Sequence, residues 1–292
     1  MTEEEALARA MALPCWKAPG KPELLGGGIT NFNVKIPDGD RAYVVRIGDD
    51  IPVHGILRWH ELAVCRAAHA AGITPGVHYH EPGALVLDFI EARTYAEEDV
   101  RDPNNLPRVV DLMRRCHLDV LPHLRGPVLT FWVFHVIRDY AATLREGGSD
   151  HIKRLPDLLA TAERLEAAVG TVEIVLGHND LLAANILDDG DRLWLIDWEY
   201  AGFNTPLFDL GGLATNNGLS QPQERQILEQ YFEEPADSRW RAYTAMKCAS
   251  LMRETMWSMV SEIHSALDFD YSEYTAENLS RLEAALSGFK NA

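Results

Sequence analysis

His178–Asp197, HNDLLAANILDDGDRLWLID, is the stretch on which the reading of this chain turns. Asn185-Ile186-Leu187 and Arg192 to Asp197 are short apolar-rich runs, and Asp188-Asp189-Gly190-Asp191 between them carries the Asp-Gly hairpin signal. Such a hairpin brings Asn185 and Asp197 side by side at its open end, with His178 and Asp180 in a loop just upstream. The amide and the carboxylate are oxygen ligands suited to Mg²⁺. Asp180 is a separate carboxylate, able to orient an attacking hydroxyl and accept its proton. These are the parts that a phosphoryl-transfer site needs.

The spacing H-x-D-x-x-x-x-N, followed twelve residues later by an Asp at a strand end, is that of a kinase catalytic loop and metal loop. Asp197-Trp198-Glu199 stands in place of D-F-G. Taken alone, His178 and Asp180 would equally suit a turn cap, and Asp197 an ordinary strand end. Upstream residues favour the catalytic reading. Gly26-Gly27-Gly28-Ile29-Thr30-Asn31 forms a glycine-rich turn between two extended segments of Leu24–Ile36, where backbone N–H groups and a Thr or Asn side chain can lie over nucleotide phosphates. Arg46, on the strand Tyr43–Ile47, can reach phosphates, and Glu61 on the next helix can hold that cation in place. The order of glycine loop, strand cation, helix Glu, hinge strand, catalytic loop and metal loop is that of a protein-kinase-like fold.

Working outward, a short N-terminal helix, the glycine hairpin, the Tyr43–Ile47 strand, a helix over Ile56–Ala71 ending at Gly72 and a strand over Ala84–Ile90 make a small β-rich lobe. Helical apolar spacing recurs over Pro107–Leu118, Thr130–Arg145, Ile152–Val169, Pro222–Phe232 and Ser238–Leu267. The expected class is α+β, a two-lobe protein-kinase-like fold. Residues 1–92 are the expected N-terminal nucleotide-binding lobe, and residues 93–292 the larger, mainly α-helical lobe for catalysis and acceptor binding.

With 292 residues, 47% hydrophobic and 24% charged, a disordered or fibrous chain is excluded. Acidic residues number 44 against 27 basic ones, a net charge of −17 that repels phosphate backbones and anionic lipid. No nucleic-acid partner and no membrane insertion are expected. The N-terminus is acidic where a signal peptide is basic, and Cys15, Cys65, Cys116 and Cys248 lack paired spacing, so a cytoplasmic protein is expected. Cys116 and Cys248 read as buried small hydrophobes, His78 and His80 as a loop pair without a third metal ligand, and His117 and His123 as solvated or capping.

LGHNDLLAANIL (176–187) and LIDWEYAGFNTPLFDLGGL (195–213) resemble the choline/ethanolamine kinase family, in particular its bacterial choline-kinase branch, within the wider group that includes aminoglycoside phosphotransferases. The resemblance runs from GGGITNFN through YVVRI, the Arg58/Glu61 helix and DFIEARTY to the C-terminal helix. It implies ATP and Mg²⁺ as cofactors, Asp180 as catalytic base, and Asn185 and Asp197 as metal ligands. Gly27, Gly28, Thr30 and Asn31 would lie in the phosphate loop and Arg46 on the ATP phosphates, with Glu61 behind it. Asp88, Phe89 and Ile90 would supply backbone hinge contacts to adenine, and Asp209 would anchor the catalytic loop from a buried position.

A quaternary ammonium is recognised by aromatic faces and nearby carboxylates. Glu199 and Tyr200 directly follow the metal loop's Asp, while Trp257 and Tyr271 match the family's cage positions. Three residues before Trp257, where the family often carries a second Trp, stands Glu254, a carboxylate able to face a cation. The implied activity is transfer of the γ-phosphoryl group of ATP to the hydroxyl of choline or a related small cationic amino alcohol. The alternatives are an aminoglycoside, thiamine or other small-molecule phosphotransferase of the same fold, a nucleotide-binding pseudokinase, and a metal-dependent hydrolase using His178, Asp180 and Asp197.

Overall fold

The structure is a computed structural model and describes residues 1–26, 30–265 and 269–290. Helix α1 (Glu3–Met11) starts at a capping box in which Thr2 Oγ1 accepts from Glu5 N and Glu5 Oε2 from Thr2 N. Strands β1 (Glu23–Leu25), β2 (Phe32–Asp38) and β3 (Arg41–Ile47) lead to α2 (Arg58–Ala70), then β4 (Val77–Glu81), β5 (Ala84–Asp88) and β6 (Arg93–Thr94). Helices α3 (Glu97–Arg101), α4 (Leu106–Asp119), α5 (Val133–Glu146) and α6 (Leu155–Val169) follow. Strands β7 (Val175–Gly177), β8 (Ile186–Asp188), β9 (Leu193–Leu195) and β10 (Gly202–Asn204) precede α7 (Pro206–Asn216), α8 (Gln221–Phe232), α9 (Trp240–His264) and α10 (Tyr271–Phe289).

Two compact units emerge. The first comprises residues 1–95, 119–127 and 184–199, the second 96–118, 128–183 and 200–292. In the first, an antiparallel sheet of order β1-β2-β3-β5-β4 buries one face against α1. Strand alternation decides which side chains face which way. Tyr43, Val45 and Ile47 enter a core with Val34, Ile36, Val86, Ala10 and Leu13, so Arg46 is turned to the opposite face. A second sheet, β6-β8-β9, contains the expected hairpin, with Ile186 opposite Leu195 and Leu187 opposite Trp194. Its turn is fixed by Asp189 Oδ1, which accepts from Asp191 N and Arg192 N, and by Gly190 at φ 97°.

The second unit is helical around α9, a 25-residue helix packed against α5, α6, α7 and α10. It is buried on nearly every side, with Thr255, Ser258 and Arg253 among its enclosed residues. Strands β7 and β10 pair antiparallel, Gly177 opposite Gly202. The α+β class, with a small antiparallel N-terminal sheet and a helical majority, agrees with the sequence expectation. Cys116 and Cys248 are buried, as expected. His78 and His80 differ: both lie exposed on β4, an edge strand, rather than in a loop. Among the described residues no helix is long and apolar enough to cross a membrane.

Candidate active site

In the first unit, the pairing of β8 with β9 continues one step further, because Ile196 N donates to Asn185 O at 3.0 Å. Asn185, buried, and Asp197 therefore stand at the same hairpin end. Asp197 sits at φ 70°, a left-handed conformation that a non-glycine residue holds only when its surroundings fix it. Two contacts do so. Trp198 is buried with Nε1 donating to Thr74 Oγ1 at 3.0 Å, and Arg46 Nη2 donates to Asp197 Oδ1 at 2.6 Å.

Arg46 is the hub of a charged cluster. Its Nε lies 2.9 Å from Glu61 Oε1, and Arg58 Nη1 lies 2.7 Å from Glu61 Oε2 and 2.9 Å from Glu199 Oε2. Thr30 Oγ1 donates to Glu199 Oε1 at 2.8 Å, and Asn31 Nδ2 donates to Thr30 Oγ1 at 3.1 Å. Thr30, Asn31, Arg46, Glu61 and Asp197 are thus brought together, with Arg58 added. The i to i+3 spacing of Arg58 and Glu61 on one helix face is the signal that could have found it. The sequence suggests an acceptor role for Glu199; its contacts among the described residues are instead with Thr30, Asn31, Arg46 and Arg58. Burial and then the neighbouring Asp197 push its carboxyl up to about 7, against the pull of both guanidiniums. Burial disfavours charge on Arg46 too, but Asp197, Glu61 and Glu199 outweigh it and raise its pKa.

Asn31 Oδ1 is buried without a hydrogen-bond partner among the described residues, and the cluster borders a cavity of about 620 Å³ lined by Asn31, Arg46, Arg58, Glu61 and Leu85. Asn185 and Asp197 offer one amide and one carboxylate, and among the described residues no group of three or more His, Cys, Asp or Glu is arranged to hold a metal ion. That donor set fits Mg²⁺, which keeps waters and takes phosphate oxygens, rather than a closed protein cage. At the expected hinge, Asp88 N donates to Gly76 O at 2.9 Å and Phe89 N to Ala42 O at 3.0 Å, while Ile90 is half-buried. Gly27 and Gly28 lie outside the described residues.

The loop carrying Asp180 belongs to the second unit and is held from below by Asp209. Asp209 Oδ2 accepts from His178 N and Oδ1 from Asn179 N, both at 2.8 Å. Burial would raise the Asp209 carboxyl, but the His117 hydrogen bond and the neighbouring positive and N–H groups hold it below its ordinary value. Asn179, at φ 67°, donates Nδ2 to Tyr200 O at 3.0 Å and accepts from Asn204 Nδ2 at 3.1 Å, tying the loop to β10. A Cβ on Gly177 would meet Asn179 Oδ1 at 2.8 Å, so glycine there permits the approach. Asp180 itself is half-buried. His117 corrects the sequence expectation: it is 3% exposed, with Nε2 2.8 Å from Asp209 Oδ2 and Nδ1 2.7 Å from the Tyr231 hydroxyl. The inner face of α4 buries it. Asn179 and Asn204 carry no periodicity that marks them, and the place of His117 on the buried face of α4 is set by its distant partners Asp209 and Tyr231.

Tyr200, Trp257 and Tyr271 are also in the second unit and are buried. Trp257 Nε1 donates to the Tyr200 hydroxyl at 2.9 Å, and the Trp257 ring meets Tyr271 edge-on at 6.0 Å. The structure therefore does bring these three expected acceptor residues together.

The chain is similar to several known proteins. Protein LicA of Haemophilus influenzae is 26% identical over 269 residues, covering 89% of this chain and 77% of that protein. A probable ethanolamine kinase of Arabidopsis thaliana is 25% identical over 286 residues, covering 86% and 76%. The crystal structure of a choline/ethanolamine kinase family protein from Mesorhizobium loti superposes with a TM-score of 0.79 at 26% identity, covering 98% of this chain and 95% of that one. The fold and these relatives together define a protein-kinase-like phosphotransferase of the class that acts on alcohol groups. The family model for choline/ethanolamine kinase matches residues 23–235, and the chain belongs to that family.

Proposed function

We propose that this protein transfers the γ-phosphoryl group of ATP to the hydroxyl of choline or a related small amino alcohol. The observation that carries this reading is the hairpin end where Asn185 and Asp197 stand together with Arg46 on the Asp197 carboxylate. Asn185 and Asp197 would hold Mg²⁺, which when bound supplies charge neutralisation to the phosphate oxygens. Arg46, kept in place by Glu61, would turn its guanidinium to the phosphates. Asp180 would orient the acceptor hydroxyl; as that oxygen bonds to the γ-phosphorus and the bond to the ADP oxygen breaks, the hydroxyl proton passes to the Asp180 carboxylate. Residues 1–92 would serve the nucleotide, with Thr30, Asn31 and the backbone of Asp88 to Ile90, and residues 93–292 the catalysis and the acceptor, with Tyr200, Trp257 and Tyr271.

Glu199 belongs with the nucleotide side in this reading, because its carboxylate is engaged by Arg46, Arg58 and Thr30. The test is an acceptor panel of amino alcohols, aminoglycosides and thiamine with Mg·ATP, read by identification of the phosphorylated product. A phosphorylated amino alcohol formed one-for-one with ADP is expected. Phosphorylation confined to an aminoglycoside or thiamine would overturn the acceptor assignment.

A further inference from the structure

Glu254 lies on α9 one turn before Trp257, and its carboxylate is part of the aromatic group there. The Tyr274 hydroxyl donates to Glu254 Oε1 at 2.8 Å, and the Tyr274 ring stands at 90° to Trp257 with centroids 6.5 Å apart. Phe269 closes on Tyr271 at 4.9 Å and on Tyr274 at 5.8 Å. On its other side, Glu254 Oε2 accepts from Arg253 Nη1 at 2.8 Å. An ionised carboxylate offers about four acceptor positions. Two are used by Tyr274 and Arg253, and the Glu254 side chain keeps 22% of its surface exposed, so acceptor capacity faces outward.

The rings alone are less open to a cation than the sequence implies. Arg253 is buried, and its guanidinium lies over the Tyr200 ring at 4.4 Å and the Phe131 ring at 5.4 Å. One face of Tyr200 is therefore already covered by a cation of the protein itself. A quaternary ammonium has no N–H and depends on ring faces. An ammonium with N–H bonds can instead donate to a carboxylate, a short charge-assisted hydrogen bond with fixed direction. Since Arg253 and Glu254 cancel in charge, Glu254 contributes through that directed bond more than through a net field.

We infer that Glu254 is a specificity-determining residue that selects amino alcohols whose nitrogen still bears hydrogen over the quaternary one. The inference rests on the amino-alcohol reading above and narrows it. A site built to hydrogen-bond a substrate N–H discriminates against the analogue that lacks it, because its own acceptor is left without a partner.

The test is the series ethanolamine, N-methyl-, N,N-dimethyl-ethanolamine and choline, each with Mg·ATP and full-length enzyme, for the unaltered protein and for Glu254→Gln. The unaltered protein is expected to lose at least about tenfold in kcat/KM at the last methylation, which removes the final N–H. Glu254→Gln is expected to shrink that step below about threefold while nucleotide affinity stays unchanged; its unfolding midpoint falls, because the buried Arg253 loses its carboxylate partner. Tyr274→Phe leaves the Arg253–Glu254 pair intact and removes one bond that aims the carboxylate; it too should flatten the step. Choline used as well as or better than the dimethyl compound by the unaltered protein, or a step of undiminished size in a folded Glu254→Gln, overturns the assignment. Absence of turnover with all four alcohols overturns the amino-alcohol reading itself, and this inference with it.

Discussion

Around Arg46 in the first unit, two guanidiniums face three carboxylates: Arg46 and Arg58 against Glu61, Asp197 and Glu199. Around Trp257 in the second, the rings of Tyr200, Tyr271 and Tyr274 are joined by edge contacts and a neutral Trp257–Tyr200 hydrogen bond, with one ion pair, Arg253–Glu254, whose carboxylate accepts from Tyr274 and whose guanidinium lies over Tyr200. The first arrangement is one carboxylate in excess, and burial first, then the charge of Asp197, pushes Glu199 toward neutrality. Such a cluster gives a cation its position but depends on every member. An aromatic group depends on shape, and loses less when one contact is removed.

The sharpest way to break this contrast is Arg46→Met, which leaves the buried Glu61 and Glu199 without their main cation. Removing one partner from such a cluster should lower unfolding stability by about 3–5 kcal/mol and abolish nucleotide binding. Chemical unfolding with nucleotide titration measures both, and a variant of unchanged stability would remove the contrast.

Asp209→Ala comes next. It strips the acceptor from His178 N, Asn179 N and His117, and should lower stability by about 3 kcal/mol. The folded-state pKa of Asp209 is depressed below its ordinary 3.8, so its stabilisation is present above that pH and is lost as pH falls through the folded value. Acid unfolding below pH 3.8 should accordingly be shallower in the variant than in the unaltered protein.

Smaller still, Glu199→Gln should raise the nucleotide KM about tenfold, a change of about 1.4 kcal/mol, with the acceptor KM steady. A rise in the acceptor KM alone would return Glu199 to the acceptor side.

Much of this was legible in the chain. The hairpin at Ile186–Leu195 announces itself through Asp-Gly between branched runs, and Arg46 through its place on an alternating strand. Strand β4 did not, because VHYHE at a sheet edge exposes alternate polar residues and resembles a loop. Helix α7, PLFDLGGLATN, hides behind two glycines of poor helix propensity; a Cβ on Gly211 would meet the Lys247 backbone at 2.9 Å, so packing against α9 explains the first of them. The ties of Glu199, Arg253 and His117 are long-range. No spacing along the chain encodes that His117 meets Asp209, 92 residues away, or that Glu199 meets Arg58.

Proton transfer from the acceptor hydroxyl to Asp180, the step on which phosphoryl transfer to an amino alcohol depends, is measured by Asp180→Ala with product formation and nucleotide affinity followed on one preparation. Turnover should fall at least about a hundredfold while Mg·ATP affinity stays within about twofold of the unaltered protein. Near-normal formation of the phosphorylated alcohol by that variant would contradict the account.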